Sequence, residues 1–149
     1  MRISSKGRYA VQAMFDLAYH NGGGAAQIKD ICERQSIPHR FLEQAFQDLK
    51  RAGLVRSKRG PRGGYELAIV PEEIRLGDIV RAIDGPIVLV PDAGKAHAAS
   101  SQRVVRDVFR DVSSTLEASL DAVSIADLCA RAEGLGVARG APARYVYAI

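Results

Sequence analysis

The side chains best suited to chemistry lie on a predicted amphipathic helix at residues 38–52. Helical spacing places polar side chains on the face away from its apolar stripe. Such side chains can hydrogen-bond base edges, because arginine pairs with guanine, glutamine with adenine, and glutamate accepts from the cytosine amino group. A solvated helix face is the alternative for any one of them. The predicted base-reading residues are His39, Arg40, Glu43, Gln44 and Gln47, with Lys50 further along the same face.

A basic segment follows this helix. Two strand-like stretches, residues 54–58 and 64–68, flank a turn rich in Gly and Pro and predict a β-hairpin. Cations at its tip would neutralise phosphates or enter a minor groove, which adds affinity more than sequence choice. A hairpin that only covers the core would leave this charge unexplained. The predicted phosphate-contacting residues are Arg56, Lys58, Arg59 and Arg62, joined by Arg2, Lys6 and Arg8 near the N-terminus.

No catalytic or metal-binding constellation is predicted. His20, His39 and His97 are expected at a helix end, on the polar helix face and in a linker, which gives no nucleophile–base pair and no metal triad. Cys32 and Cys129 are far apart and are expected to be buried apolar residues. A redox sensor is the weaker alternative, because burial raises the thiol pKa. We therefore expect neither an enzyme nor a cofactor.

Composition and charge support a globular nucleic-acid binder. The 149 residues are 47% hydrophobic and 26% charged, which is ordinary for a globular protein. Residues 1–70 contain 12 Lys and Arg against 6 Asp and Glu, whereas residues 71–149 contain 9 against 11. A basic half joined to a mildly acidic half indicates a unit that binds polyanions. The absence of a long apolar run or signal-like N-terminus favours the cytoplasm.

Apolar periodicity predicts the elements that must position these residues. Three helices followed by a hairpin are typical of a winged helix-turn-helix, in which the second helix of the motif enters a major groove. The expected fold is mainly α with a small β-hairpin, extended by a long C-terminal dimerisation helix. The helices are predicted at residues 6–20, 27–34, 38–52, 76–84, 101–123 and 124–133, the last opened by Ser124 and Asp127 as a capping pair.

The long helix carries an apolar stripe that a small winged domain cannot cover. Pairing with the same helix of a second chain is the favoured explanation, and a surface helix over its own core is the alternative. The predicted dimerisation residues are Val105, Val108, Phe109, Val112, Leu116 and Leu120. The chain thus divides into a DNA-binding domain (1–70), a fourth helix with a sensor-type linker (71–100), the dimerisation helix and a short capping helix (101–133), and a tail (134–149).

Several segments resemble the Rrf-two-type family of bacterial transcription regulators. The resemblance implies a dimeric winged-helix regulator, expected to be a repressor, that binds palindromic promoter DNA. The segments that carry it are residues 1–10, 19–24, 41–44, 52–55 and 59–65, and it extends over residues 76–86 and the long helix.

The linker departs from the cluster-binding members of that family. Those members hold an iron–sulfur cluster with three closely spaced cysteines before the long helix, assisted by a histidine near its start. Here residues 90–103 contain no cysteine, and Arg103 and Arg106 stand where the last cysteine and the histidine would fall. Thiolates hold such clusters, so the resemblance implies a cluster-free regulator. The branch that it resembles most is the cysteine-metabolism repressor.

The chain end, of the form Tyr-x-Tyr-x-Ile, is also similar to that branch. Its repressors work with O-acetylserine sulfhydrylase, a cysteine synthase, and Tyr147 and Ile149 are the residues predicted to bind this partner through carboxylate capture. A terminal strand tucked onto the dimer is the alternative for the tail. A protein-interaction module that docks on the synthase, with DNA binding secondary, is the alternative for the function.

Overall fold

A computed structural model describes residues 2–22, 24–91 and 100–140 of the chain. Over these ranges the protein has six α-helices, one short 3-10 helix and one antiparallel pair of strands, which confirms the predicted fold class. The elements are α1 (Ser5–Tyr19), α2 (Ile28–Gln35), α3 (His39–Arg51), β1 (Val55–Lys58), β2 (Gly64–Leu67), the 3-10 helix Pro71–Glu73, α4 (Leu76–Asp84), α5 (Ser101–Asp121) and α6 (Ile125–Gly134).

A single core holds α1, α3, α4 and α6 together. Leu17 of α1 and Phe46 of α3 are fully buried in it, and so are Ile79 of α4 and Ile125 of α6. The chain therefore leaves this body after α4, runs along α5 and returns with α6. Phe41 of α3 is half-buried, with its ring centroid 5.6 Å from that of Tyr9.

A tight turn joins α2 to α3 and sets the geometry of the helix-turn-helix. Ser36 ends α2 in the left-handed conformation, with φ 54° and ψ 46°. Ile37 follows it and is buried, which anchors the turn on the core. Pro38 is extended at the N-cap position, so α3 begins at His39 rather than at the predicted Pro38.

The hairpin is fastened at its base and free at its tip. Val55 pairs with Leu67, and both side chains are buried. Ala26, just before α2, exchanges two backbone hydrogen bonds with Tyr65 of β2, at 2.9 and 2.8 Å. Gly64 has φ 143°, and a Cβ there would lie 2.2 Å from the Ala26 carbonyl oxygen, so this close approach requires glycine. Residues 59–62 are exposed beyond this base.

The second half of α5 is hydrogen-bonded to the body. The Arg81 guanidinium of α4 donates to Asp121 at 2.6 Å, and this hydrogen bond is the main cause of the raised pKa of Arg81. Leu116 and Leu120 are half-buried, whereas Val105 and Phe109 remain 55% and 42% exposed. The predicted continuous stripe is thus split into a covered half and an open half. Among the described helices, none is long and apolar enough to cross a membrane.

Candidate nucleic-acid interface

The polar face of α3 is open to solvent. All five predicted base-reading residues are exposed, on the side opposite the buried Leu42, Phe46 and Leu49. The His39 Nδ1 atom lies 3.2 Å from Glu43 Oε1, one helical turn away. The Arg40 guanidinium lies 4.9 Å from the centroid of the Phe41 ring. The face therefore combines donors and acceptors on one rigid helix.

The hairpin is held beside the C-terminal end of α3. Lys50 Nζ donates to Ser57 Oγ of β1 at 3.1 Å, and the Leu54 N–H donates to the Leu49 carbonyl at 3.0 Å. The rings of Phe46 and Tyr65 stack with centroids 4.6 Å apart. These contacts fix where the basic tip lies relative to the polar face of α3.

The hairpin cations fall into two groups. Arg56 lies opposite Glu66 in the strand register and donates to it at 2.7 Å, so its charge is already compensated. Lys58, Arg59 and Arg62 are exposed, and no carboxylate of the described residues lies within 4.0 Å of their charged groups. The tip therefore presents three uncompensated positive charges.

The predicted N-terminal cations also differ from one another. Lys6 is bonded to Asp48 of α3, which also accepts from Arg51 at 3.1 Å. Lys6 thus ties α1 to α3 instead of presenting a free charge. Arg2 and Arg8 are exposed. The structural use of Asp48 was missed by sequence reasoning, because its spacing on α3 gives no sign of a partner on α1.

Asp84 holds the start of α1 in place and was also missed. Its carboxylate accepts from the Ser4 N–H at 3.0 Å and from the Ser4 hydroxyl. Ser4 in turn caps α1 by accepting from the Gly7 N–H at 2.9 Å. The end of α4 thereby fixes the position of the N-terminal residues that precede α1.

The two cysteines are half-buried rather than buried as predicted. Burial is the main cause that raises the thiol pKa of Cys32 and of Cys129, which lowers their reactivity. Within the described residues no group of three or more His, Cys, Asp or Glu side chains is arranged to hold a metal ion. The predicted partner-binding residues Tyr147 and Ile149, and His97 of the linker, lie outside the described residues.

A helix-turn-helix with a basic hairpin fixed beside its second helix defines a winged-helix transcription regulator. A family model described as "Rrf2: Iron-dependent Transcriptional regulator" matches residues 3–131. The chain belongs to this Rrf2 family, as the sequence motifs predicted.

Similar proteins agree with this assignment. The chain is 42% identical over 129 residues to the HTH-type transcriptional regulator IscR of Aliivibrio salmonicida, covering 86% of this chain and 77% of that protein. The structure of T. potens IscR matches with a TM-score of 0.75 and 39% identity over 94% of both chains. That of CymR (YrzC), the global cysteine regulator of B. subtilis, matches with a TM-score of 0.74 and 33% identity over 88% of this chain and 98% of that one. These relatives are regulators, which confirms the prediction that the chain is not an enzyme.

Proposed function

We propose that the protein is a homodimeric regulator in which α3 of each protomer enters the major groove of palindromic promoter DNA. The observation that carries this proposal is the exposed polar face of α3 beside the uncompensated basic tip, joined by the Lys50–Ser57 hydrogen bond. Residues 1–70 form the DNA-binding domain. The winged-helix arrangement supports major-groove entry, because one face of its second helix is exposed while the other is packed in the core.

The two sets of side chains have different tasks in this proposal. Arg40, Glu43 and Gln44 read base edges, which determines sequence preference. Lys58, Arg59 and Arg62 contact phosphates, which determines affinity and salt dependence. The compensated Arg56 and Lys6 contribute less, because their carboxylate partners must be displaced before they meet a phosphate.

Dimerisation occurs along the open half of α5. Val105, Val108, Phe109 and Val112 are all exposed on one side of that helix, which supports its burial against the same helix of a second chain. Leu116 and Leu120 continue the same side toward the body. A two-fold axis there would present two α3 helices to half-sites about one DNA turn apart.

The protein works without an iron–sulfur cluster in this proposal, although the family description is iron-dependent. The whole chain has two cysteines, on α2 and α6, and residues 90–103 have none. These residues do not fit a cluster held by three linker thiolates. Arg103 and Arg106 bring positive charge to positions that a cluster would need for neutral or anionic ligands.

We propose repression of genes of sulfur or cysteine metabolism as the biological role. The similarity to CymR, described as a global cysteine regulator, supports it. Docking of Tyr147 and Ile149 on cysteine synthase stays a prediction, tested by titrating the synthase with a chain lacking Ile149. The named relatives are transcription regulators, which gives no support to a function as an interaction module alone.

Selection of bound duplexes from a random pool tests the proposed function. We expect a palindrome, and a plot of log affinity against log salt with a slope of roughly −5 to −7 for six to eight phosphate contacts. Gln44→Ala should relax sequence preference at one position in each half-site, with Ser114→Ala on α5 as the exposed control. Shallow binding without sequence preference would contradict the proposal.

A further inference from the structure

Residues 135–140 follow α6 and return to the end of α1; we call them the C-terminal strap. The Tyr19 hydroxyl donates to the Val137 carbonyl at 2.6 Å, and the Gly140 N–H donates to His20 Nδ1 at 2.7 Å. The Arg139 guanidinium lies 4.6 Å from the centroid of the Tyr19 ring. The strap lies beyond residue 131, where the match to the Rrf2 family ends.

The strap contacts the region where α1 is joined to α2. Asp16 of α1 is fully buried and accepts from Arg34 of α2 at 2.6 Å and from Gln35 at 2.9 Å. A Cβ on Gly140 would lie 3.1 Å from His20 Nδ1 and 3.5 Å from Arg34 Cδ. Gly140 therefore sits against both helices, at the ion pair that fixes the first helix of the helix-turn-helix.

Hydrogen bonds lead from Arg34 to the basic hairpin, which is the wing of the winged helix. Arg34 donates to the Asn21 side chain at 3.3 Å, and Asn21 donates to the Ala25 carbonyl at 2.9 Å. Ala26, the next residue, pairs with Tyr65 of β2 through two backbone hydrogen bonds. The strap thus packs against Arg34, from which hydrogen bonds lead to the base of the basic hairpin.

His20 Nδ1 is the acceptor that holds the end of the strap, because it accepts from the Gly140 N–H at 2.7 Å. The two guanidinium groups nearby are compensated, since Arg34 is paired with Asp16 and Arg139 with Glu133. The strap is therefore held by its hydrogen bonds with Tyr19 and His20 and by the contact of Arg139 with the Tyr19 ring.

We propose that the Tyr19–His20–Arg34 surface is a docking site for the C-terminal strap and that His20 Nδ1 is the acceptor that holds it. While docked, the strap stabilises the arrangement of α1, α2 and the basic hairpin that binds DNA. This last step rests on the proposed function, whereas docking itself does not.

Two substitutions at His20 test its acceptor atom. The Oδ1 atom of asparagine can replace Nδ1 as acceptor, whereas phenylalanine keeps a ring and removes the acceptor. Amide hydrogen exchange of Gly140, followed by NMR at one fixed pH in the full chain without DNA, reports docking. We expect protection in the wild type and in His20→Asn, and loss of that protection in His20→Phe. Tyr19→Phe, which removes only the hydroxyl bonded to Val137, should weaken the same protection.

Equal protection of Gly140 in His20→Phe and the wild type would overturn the docking site. A loss of protection in His20→Asn as large as in His20→Phe would overturn the role of Nδ1 as the acceptor. Circular dichroism of each variant confirms that it is folded, so that a lost signal reports the strap and not the whole chain.

The same variants test the effect on DNA. We expect His20→Phe to bind the selected duplex about fivefold more weakly than His20→Asn, which should bind as the wild type does. Equal affinities would overturn the coupling to DNA. If the wild type bound no selected duplex, the proposed function would fail, and Gly140 protection would still decide whether the strap docks.

Discussion

In the body formed by α1 to α4, the hairpin and α6, apolar side chains are enclosed, whereas along the first half of α5 they face solvent. Leu17, Phe46 and Ile125 are fully buried in the body. Val105 and Val108 of α5 are each 55% exposed. The same kinds of residue, repeated with the same helical period, therefore have opposite environments in the two regions.

The difference shows which part of the fold is complete in one chain. The body is closed by α6, which packs against α1 and the 3-10 helix and places Ile125 in the core. Helix α5 is fastened along its second half by Arg81–Asp121 and by Ser113, whose hydroxyl accepts from the Leu89 N–H at 3.0 Å. In the proposed dimer, the partner chain covers the exposed apolar side chains of the open half.

The largest expected effect comes from a charge placed on the open half of α5. Phe109→Asp should convert the dimer to a monomer, because an unpaired carboxylate in an apolar interface costs several kcal/mol. Affinity for a palindromic duplex should then fall by about a hundredfold or more, since a monomer keeps one of two half-site contacts. Sedimentation velocity and fluorescence anisotropy measure the two effects.

Ser114→Asp is the matched control for that substitution. Ser114 is exposed on α5 and lies about 180° around the helix from Val105. Ser114→Asp should leave both the dimer and the affinity for the palindromic duplex unchanged. A dimeric Phe109→Asp protein, or a Ser114→Asp protein that dissociates to the same extent, would contradict pairing along the open half.

A smaller effect is expected in the basic hairpin, where the salt dependence of DNA binding can be compared between a compensated and an uncompensated cation. Arg59→Ala should flatten the salt dependence by about 2 in slope, because each protomer of a dimer loses one phosphate contact. Arg56→Ala should change the slope less, since Glu66 already compensates Arg56. Glu66→Gln should make the affinity fall more steeply with salt concentration, because it frees Arg56 to contact a phosphate. If Arg56→Ala and Arg59→Ala reduced the salt slope equally, the ion pair with Glu66 would not weaken the phosphate contact of Arg56.

Local patterns in the sequence were sufficient to predict the order of the helices and the hairpin. Apolar periodicity located α3 within a residue or two of its observed ends, and Ser124 and Asp127 form the predicted capping box. The exposed face of α3 follows from the same periodicity. These features depend on neighbours along the chain, and such neighbours can be read directly from the sequence.

Features that depend on distant parts of the chain were not predicted. Periodicity gave one stripe on α5 but could not show that α4 covers only its second half. Pairing of Lys6 with Asp48 and of Asp84 with Ser4 joins residues more than 40 positions apart, so no spacing rule indicates it. The contact of the strap with His20 spans 120 positions. Each of these contacts exists only once the helices have packed.

The smallest expected effect concerns the stability of the body, at the cap of α6. Ser124 accepts from the Asp127 N–H at 3.1 Å, and Asp127 accepts from the Ser124 N–H at 2.8 Å. Ser124→Ala should lower the free energy of unfolding by about 1 kcal/mol, as is usual for loss of an N-cap. Urea unfolding measures it, and the Phe109→Asp background should show the same loss, because the cap belongs to the body and not to the dimer.

The pH dependence of the same cap gives a sharper test. The hydrogen bond from the Ser124 N–H is the main cause that lowers the pKa of Asp127 below its ordinary value of 3.8. Because the folded pKa is below the unfolded one, the carboxylate stabilises the fold above pH 3.8, and this contribution is lost as the pH falls through the folded pKa. The difference in unfolding free energy between the wild type and Asp127→Asn should therefore be larger at about pH 7 than at about pH 2.5. A difference that did not change between these two conditions would mean that the charge of Asp127 contributes nothing to the cap.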